Sequence, residues 1–287
     1  MTISIILILS LTKTNTYIMR YDPVKSRIGR IVNRSVWLRK VFYTLLDILL
    51  LRTWHVKKAL RQYAVENRGA GNILDAGSGF GQYAWRLWKI NNNWNILGID
   101  VKEEQVDDCN KYVNGTKARG KLTFRVADLT EYKEEDKYNL VLSVDVMEHI
   151  EEDRQVFSNF YSSLQKDGWL IISTPSDKGG SDVHNEDDHS FIDEHVRDGY
   201  GVEDINEKLQ TAGFIDISTA YTYGWPGKIS WKLSMKYPVL MLNASMIFAL
   251  VLPFYYILVM PFALILNYFD VRFKHKEGTG LLVIAKK

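Results

Sequence analysis

The alternation of apolar and polar positions changes near residue 70, where short apolar runs begin to alternate with helical stretches. This rhythm is typical of strands and helices in a parallel sheet that is covered on both faces. It predicts strands at residues 72–76, 94–100, 122–127, 138–144, 169–174, 214–221 and 280–285. It also predicts a helix over residues 202–212 that is closed by Gly213, because glycine is common just after a helix ends. The pattern therefore indicates an α/β fold built on one central sheet.

Ahead of the sheet, residues 20–61 are both basic and apolar. They hold eleven Lys and Arg against two Asp, a local net charge of +9 in a chain whose net charge is only +2. Apolar residues recur among these charges at roughly helical spacing. Two interpretations stay open: a helix that lies on a membrane surface, and a helix that packs on the core with a solvated basic face. The interleaved apolar residues disfavour a nucleic-acid arm, and we expect no nucleic-acid partner.

A second apolar segment lies between the last two predicted strands. Residues 237–269 contain no charged side chain and are bounded by Lys236 and Asp270. Pro253 and Pro261 divide the segment, and as helices the apolar pieces reach at most about 22 Å at 1.5 Å per residue. The hydrocarbon core of a bilayer is about 30 Å thick. We therefore expect short helices, each of which is too short to span a membrane.

The amino-acid composition is that of a globular protein without disulfides. Hydrophobic residues make up 46% and charged residues 24% of the 287 residues, as in a globular chain. Cys109 is the single cysteine, so no internal disulfide can form, and a cytoplasmic location is expected. The apolar residues 3–11 are too few to span a bilayer and follow no basic region of a signal peptide. If Met19 is the true translational start, residues 1–18 are expected to be a non-structural leader.

The strongest motif for chemistry lies at residues 72–83, which read Asn-Ile-Leu-Asp-Ala-Gly-Ser-Gly-Phe-Gly-Gln-Tyr. A buried strand runs here into a glycine turn and then a helix, and glycines allow the backbone to pass close beneath a ligand. The spacing differs from the dinucleotide pattern G-x-G-x-x-G, because Gln82 stands at the sixth position. Asp100 ends the second strand 19 residues after Gly81, where a carboxylate can accept both hydrogens of a ribose diol.

The series D-x-G-x-G-x-G, led by Asp75, resembles the first motif of class I S-adenosylmethionine-dependent methyltransferases. Residues 127–129, 143–150 and 164–175 resemble later segments of that family in the same order, and 143–150 is similar to ubiquinone-type O-methyltransferases. The resemblance covers roughly residues 61–223 and the final strand. It implies a Rossmann-like, doubly wound, seven-stranded mixed sheet whose last strand is antiparallel, preceded by N-terminal helices and carrying a hydrophobic helical insertion between strands six and seven.

The resemblance also implies which residues form the site. S-adenosylmethionine is the expected cofactor, and the expected cofactor-binding residues are Asp75, Gly77, Ser78, Gly79, Gly81, Asp100, Val101, Asp128, Leu129 and Ser143. Asp75 and Asp128 have an alternative role as helix caps. The expected catalytic residues are His149 and His195. His195 lies in the loop after the fifth strand, at the edge where open α/β sheets bind ligands, and is the candidate for acceptor positioning or proton removal. An exposed polar helix start is the alternative role of this residue.

A divalent metal is a further possibility raised by the resemblance. Asp145, Glu148 and His149 reproduce an acid-x-x-Glu-His spacing that is associated with metal binding in these O-methyltransferases. A histidine that starts a helix and makes structural hydrogen bonds is the more common outcome. No metal is therefore assigned to the site.

The implied topology fixes where the apolar insertion projects. Strand six ends, and strand seven begins, at the edge of the sheet where cofactor and acceptor would sit, so the insertion lies beside the mouth of the site. It must leave and return on the same side of a membrane, which excludes a single pass. A re-entrant or in-plane membrane hairpin and a hydrophobic lid or oligomer interface stay open, and we favour the membrane.

These observations predict four regions and one function. The regions are a leader at 1–18, a basic amphipathic helical segment at 19–69, a cofactor-binding catalytic domain at 70–223 plus 279–287, and a hydrophobic helical insertion at 224–278. The predicted function is methyl transfer to an O, N or C nucleophile of an amphiphilic or lipid-linked acceptor at the inner face of the membrane. The alternatives are a soluble small-molecule methyltransferase with a hydrophobic lid and a non-catalytic membrane adaptor.

Overall fold

A seven-stranded sheet forms the centre of the molecule in the computed structural model, which describes residues 35–179 and 196–287. The strands lie in the order β3-β2-β1-β4-β5-β7-β6. Their bounds are β1 Asn72–Ala76, β2 Asn95–Asp100, β3 Leu122–Val126, β4 Tyr138–Val144, β5 Leu164–Pro175, β6 Asp216–Thr222 and β7 Gly280–Lys286. Strands β1 to β5 pair in parallel, whereas β7 pairs antiparallel with β5 and β6. The predicted mixed, doubly wound sheet with a last antiparallel strand is confirmed.

Helices cover both faces of the sheet. They are α1 Val36–Leu49, α2 Leu51–Glu66, α3 Gln82–Ile90, α4 Glu103–Asn114, α5 Asp153–Ser163, α6 Val202–Ala212, α7 Trp225–Trp231, α8 Tyr237–Ala244 and α9 Leu252–Arg272. One buried apolar cluster includes Tyr63, Trp94 and Trp169. A second includes Phe157, Tyr200 and Phe214. The cofactor motif lies in the sheet between these two clusters, so packing on both faces holds it in place.

Most predicted boundaries agree with the structure to within two residues. Helix α6 ends at Gly213, whose φ of +113° lies in the left-handed region that glycine adopts readily. The start of β5 was predicted wrongly, since the strand begins at Leu164 and not at residue 169. Leu164 already pairs with Tyr138 across a register shift, and Asp167 takes a left-handed φ of +61°. A strand that bulges in this way has no regular alternation for a sequence pattern to detect.

The two N-terminal helices pack on the central sheet. Helix α2 buries apolar side chains along its length, including Val56, Leu60 and Tyr63. Within α1, Arg39 is only 2% exposed and donates hydrogen bonds to the carbonyl oxygens of Phe80 and Asp108. The core-packing interpretation therefore holds for α2 and for the buried face of α1. Residues 20–34 of the basic segment lie outside the described residues.

The exposed face of α1 is apolar. Trp37 is 67% exposed, and Leu45, Ile48 and Leu49 are also exposed. Helix α1 therefore buries one face and presents apolar side chains to the surroundings on the other.

The apolar insertion is an antiparallel helical hairpin. Its first arm runs continuously from α7 through a π-helical turn at Lys232–Lys236 into α8, and its second arm is α9. Hydrogen bonds join the arms, from Ser230 Oγ to the Ala263 carbonyl at 3.1 Å and from Tyr256 Oη to the Ser234 carbonyl at 3.0 Å.

The expectation that Pro261 divides the second arm is wrong. Helix α9 continues through Pro261 for 21 residues, about 31 Å at 1.5 Å per residue. Proline removes one backbone hydrogen bond, but contacts with the first arm on both sides of Pro261 keep the helix continuous. Among the described residues, α9 is the one helix that is long and apolar enough to cross a bilayer.

Candidate active site

The predicted motifs meet at the carboxyl edge of the sheet, where β1 and β4 lie side by side and the strand order reverses direction. Open α/β sheets bind their ligands in the crevice at this point. The glycine turn follows β1, and Gly77, Gly79 and Gly81 all have a left-handed φ. A Cβ at Gly77 would lie 2.3 Å from Val146 Cγ2, so packing requires glycine there. A Cβ at Gly79 would meet only Gln105 Oε1 at 3.9 Å, so the turn is open on that side.

Asp100 lies at the end of β2, against the glycine turn. Its Oδ2 atom accepts a hydrogen bond from the Gly79 amide at 2.8 Å, and its Oδ1 atom accepts one from the Lys102 amide at 2.9 Å. These bonds fix the carboxylate beside the open side of the turn and leave lone pairs for further donors. The neighbouring Val101 is 60% exposed at the same edge. An exposed apolar side chain next to a fixed carboxylate suits a nucleoside, which has an apolar ring and a polar diol.

Asp75 lies beneath the turn and is 1% exposed. Its Oδ2 atom accepts a hydrogen bond from the Ala84 amide in the first turn of α3 at 2.9 Å. Burial raises the pKa of Asp75 to about 7, although the Ala84 hydrogen bond acts in the opposite direction. In this structure the carboxylate joins the glycine turn to the start of α3, which is the capping alternative raised by the sequence.

Asp128 and Leu129 follow β3 at the same edge. The exposed Asp128 accepts hydrogen bonds at Oδ1 from the Thr130 amide at 2.9 Å and from Thr130 Oγ1 at 2.7 Å. Leu129 is buried, and its carbonyl accepts a bond from Asn159 Nδ2 at 2.9 Å. The second carboxylate oxygen of Asp128 has no hydrogen bond to the described residues, so a ligand at this edge can reach it.

Two buried hydroxyl groups near the turn lack a hydrogen-bond partner among the described residues. They are Ser78 Oγ in the turn and Ser143 Oγ in β4, next to Ala76 of β1. A buried hydroxyl without a partner is costly, by about 1–3 kcal/mol in mutational data. These orphan groups, the open side of Gly79 and the fixed Asp100 fit a polar ligand with a nucleoside. The residues present therefore fit the cofactor that the sequence implied.

The segment after β4 carries the second predicted cluster. Asp145 takes a left-handed φ of +52° and forms an ion pair with Arg52 of α2. Glu148 is buried and accepts a hydrogen bond from Thr174 Oγ1 at 3.1 Å, and burial raises its pKa. His149 ends a short 3₁₀ turn at Met147–His149 and is half-buried. Within the described parts of the chain, no three His, Cys, Asp or Glu side chains form a group that could hold a metal ion.

The tertiary structure adds residues that the sequence did not single out. The backbone amide of Arg52 donates to Tyr223 Oη at 3.0 Å, and the Thr53 hydroxyl lies 3.2 Å from Tyr83 Oη. Tyr223 follows β6 in a left-handed conformation, with a φ of +55°. Burial raises the pKa of both tyrosines, and the Arg52 charge opposes this shift. A tyrosine at the end of β6 and an arginine at the start of α2 therefore reach the same edge as Asp145.

A buried carboxylate joins this edge to the apolar hairpin. Asp270, in the last turn of α9, is completely buried. Its Oδ2 atom lies 2.8 Å from His55 Nε2 and accepts a hydrogen bond from the Tyr223 amide at 3.1 Å. Its Oδ1 atom accepts one from the Gly227 amide at 3.0 Å and lies 3.2 Å from His275 Nε2. The only sequence signal for this site was a lone acid at the end of a charge-free run.

The loop after β5 is described only in part. His195 lies outside the described residues, so its predicted catalytic role stays a prediction. Arg197 forms an ion pair with Asp153 and donates a hydrogen bond to the Ile150 carbonyl at 2.6 Å. Tyr200 Oη also donates to Asp153, at 2.8 Å. These contacts bind residues 196–200 to the start of α5, next to the segment that contains His149.

Known proteins resemble this chain over the same region. A family model described as a methyltransferase domain matches residues 67–213. The phosphoethanolamine N-methyltransferase of Triticum aestivum is 27% identical over 146 residues, which cover 50% of this chain and 28% of the relative. The ubiquinone biosynthesis O-methyltransferase of Rickettsia canadensis is 29% identical over 104 residues, which cover 36% of this chain and 42% of the relative.

A solved structure shows the same fold. Phosphoethanolamine N-methyltransferase 2 of Haemonchus contortus, in complex with phosphomonomethylethanolamine and S-adenosylhomocysteine, superposes with a TM-score of 0.57 at 19% identity. The match covers 91% of this chain and 60% of that one. The chain spans less than half the length of these two curated relatives.

Proposed function

The chain belongs to the methyltransferase-domain family, whose model it matches over half its length, and from this premise we propose that it transfers a methyl group from S-adenosylmethionine to an amphiphilic acceptor at a membrane surface. The observation that carries the transfer reaction is the fixed Asp100 carboxylate beside the open glycine turn. The observation that carries the acceptor class is the exposed apolar hairpin, which is rooted at the same edge of the sheet.

The proposed cofactor site uses the residues of the glycine turn and the strand ends. The Gly79 backbone would lie beneath the ligand, and Asp100 would accept the hydrogens of the ribose diol. The free oxygen of Asp128 would accept from an amino group, and the orphan hydroxyls of Ser78 and Ser143 would gain partners. S-adenosylmethionine, when bound, supplies a methyl group that its sulfonium charge already activates. The protein's main contribution is then to hold the acceptor in line with that methyl group.

The acceptor side is proposed to lie between the segment after β4 and α2. Arg52, Asp145 and Tyr223 meet there, and His149 lies four residues beyond Asp145. His149 and His195 remain the proposed acceptors of the proton that an O–H or N–H nucleophile releases. Burial raises the pKa of Tyr223, so this tyrosine would keep its proton and act as a hydrogen-bond donor.

The hairpin is proposed to lie flat in the membrane interface. Its contacts place the first arm, which carries Lys228, Lys232 and Lys236, alongside the middle of α9. End-on insertion would therefore carry lysines into the hydrocarbon, at about 2.5–3.5 kcal/mol for each one at the centre. In a flat orientation, the apolar side chains of α9 enter the lipid and the lysines reach the headgroups.

Three alternatives compete with this proposal. A hydrophobic lid would bury its apolar face against the site, whereas only 11% of the most apolar stretch of α9 is buried within the molecule. A non-catalytic adaptor would have no need of the open turn at Gly79 and the fixed carboxylate of Asp100. An oligomer interface would also cover α9, and the protein's mass in solution without lipid tests it directly.

The test of the proposed function follows a labelled methyl group. The full-length protein is incubated with methyl-labelled S-adenosylmethionine and a membrane lipid extract, and label is counted in the organic phase. Asp100→Ala should lower cofactor affinity on the order of tenfold to 100-fold and should reduce transfer in parallel, because charge-assisted hydrogen bonds to the cofactor are lost. Asp107→Ala is the matched control, since Asp107 is exposed on α4.

Label that enters the lipid phase with the wild type and falls with Asp100→Ala supports the proposal. Label that appears only with water-soluble acceptors would contradict the membrane acceptor. Equal cofactor affinity in the wild type and Asp100→Ala would contradict the assignment of Asp100.

A further inference from the structure

A cavity lies at the root of the apolar hairpin, where α7 begins and α9 ends. Its volume is about 290 Å³. Trp225 and Lys228 of α7 line one side, and Phe273, Lys274 and Lys276 line the other. Trp225 is 62% exposed and Phe273 is 46% exposed, so both aromatic rings border the opening. The cavity is therefore ringed by cations and aromatic side chains, with apolar helices directly beside it.

The cations of this cavity are available for a ligand. Lys228, Lys274 and Lys276 form no ion pair and no side-chain hydrogen bond with any residue that the structure describes. One carboxylate, Glu277, also lines the cavity, so the three lysines leave a net positive charge. His275 also lines the cavity, and its Nε2 atom is turned to the carboxylate and the carbonyl oxygen of Asp270. The charge and the size suit one phosphate-bearing group.

The side chains around the cavity are typical of a protein region that lies at a lipid surface. It opens beside exposed apolar residues of α9, including Ile265, Tyr268 and Phe269. Tryptophan and lysine side chains are characteristic of the level at which lipid headgroups lie. Trp225, which lines the cavity, follows two residues after Tyr223, and Tyr223 contacts Arg52 at the edge of the proposed active site. A headgroup held here would place the rest of the lipid along the hairpin.

We propose that this cavity binds the phosphate group of an anionic membrane lipid, and that this contact sets the position of the catalytic edge on the membrane. This proposal rests on the proposed function, in which the hairpin binds a membrane, and it adds a binding site for a lipid headgroup. Lys228, Lys274 and Lys276 supply the positive charge, and Trp225 occupies the interface beside them.

The experiment measures vesicle binding of the full-length protein by flotation at physiological ionic strength. One set of vesicles is phosphatidylcholine alone, and the other contains about one-third phosphatidylglycerol. The wild type should bind both and should prefer the anionic vesicles. The triple variant Lys228→Ala, Lys274→Ala, Lys276→Ala should lose affinity for anionic vesicles on the order of 100-fold, since each lysine near an anionic surface contributes roughly a factor of five. Its affinity for phosphatidylcholine vesicles should change little.

A second triple variant controls for net charge. Lys111→Ala, Lys133→Ala, Lys166→Ala removes three exposed lysines that form no bond with described residues and lie away from the hairpin. It should bind anionic vesicles nearly as the wild type does. Equal losses in the two triple variants would overturn the cavity as a site, because the total charge would then explain the preference.

Three further outcomes contradict the proposal in different ways. If the wild type binds the two kinds of vesicle equally, the headgroup site is overturned, but membrane binding by the hairpin is supported. If the wild type binds no vesicle, both membrane binding and the headgroup site are overturned. If soluble glycerol phosphate saturates the cavity and anionic-vesicle binding stays unchanged, the cavity takes a free phosphate ester and the lipid source is overturned.

Discussion

At Gly79 the backbone holds a left-handed φ of +49°, and the space where a Cβ would lie is open. These two properties have different causes. The φ value follows from the tight turn between β1 and α3, whereas the open space is what the proposed ligand above Gly79 and beside Asp100 would require. The two effects of a side chain at this position can be separated by comparison with a second left-handed glycine.

Gly79→Val should therefore weaken S-adenosylmethionine binding by tenfold or more and also lower stability by about 1–2 kcal/mol, because a β-branched residue resists this φ. The control is Gly120→Val, since Gly120 has a φ of +83° and open space in a turn before β3. The control should lose similar stability but keep cofactor affinity. Calorimetry and denaturant unfolding measure the two quantities, and equal affinities in the two variants would remove Gly79 from the cofactor site.

The ionisation of Asp75 should make the free energy of unfolding depend on pH. Burial raises its pKa to about 7 in the folded protein, above the ordinary value of the unfolded chain. The folded state therefore binds the proton more tightly, and the contribution to stability is fully present below about pH 4 and is lost as the pH rises to about 7.

The free energy of unfolding of the wild type, relative to Asp75→Asn, should fall across this window with a slope of at most about 1.4 kcal/mol per pH unit. Asparagine keeps an oxygen for the Ala84 amide but does not titrate. Asp107→Asn, at an exposed position, should follow the wild-type profile. A constant difference between the wild type and Asp75→Asn from pH 4 to 7 would contradict the raised pKa.

At the scale of elements, α9 is held to the central sheet at its last turn. Asp270 links His55 of α2, the amide of Tyr223 after β6 and the amide of Gly227 in α7. One carboxylate thus fixes three elements that meet beside the proposed acceptor site. The apolar hairpin is consequently attached to the active-site edge at its root.

Asp270→Asn should lower the free energy of unfolding by about 3–5 kcal/mol, because the buried histidines and amides lose a charged acceptor and face an amide donor. Denaturant unfolding measures the change. Asp107→Asn is again the control, and an exposed substitution of this kind should stay within about 0.5 kcal/mol of the wild type. A change that small at Asp270 would show that the buried cluster does not hold α9 in place.

At the scale of the whole molecule, the exposed apolar surface is concentrated on the hairpin and on α1. Phe254, Ile257, Leu258 and Phe262 of α9 are each at least 66% exposed. In a soluble monomer, an apolar surface of this extent marks an interaction site. Two basic residues of α2 are engaged within the molecule, since Arg52 pairs with Asp145 and Lys58 donates to the Val271 carbonyl at 2.7 Å.

The variant that replaces Phe254, Ile257, Leu258 and Phe262 with Gln should move from the membrane fraction to the soluble fraction and keep cofactor affinity. The substituted side chains are exposed, so the fold should tolerate the change. Val65→Gln with Ile215→Gln is the control, because these residues are also exposed but lie away from the hairpin. Any remaining attachment is expected to be electrostatic and should be released at 1 M salt, because the Debye length is then about 3 Å. A wild type that is soluble without detergent would contradict membrane binding by the hairpin.

Local spacing predicted most of the strand positions and the glycine turn, because each depends on a few neighbouring residues. The place where the insertion projects followed from the family resemblance, and long-range contacts set the rest. Helix α9 passes through Pro261 because the first arm packs against it, and Arg39 is buried because the carbonyl oxygens of Phe80 and Asp108 accept its hydrogen bonds. The contacts between Arg52 and Tyr223 and between His55 and Asp270 join positions 171 and 215 residues apart. A local pattern carries no information on such pairs, since they form only when the sheet brings distant segments to one edge.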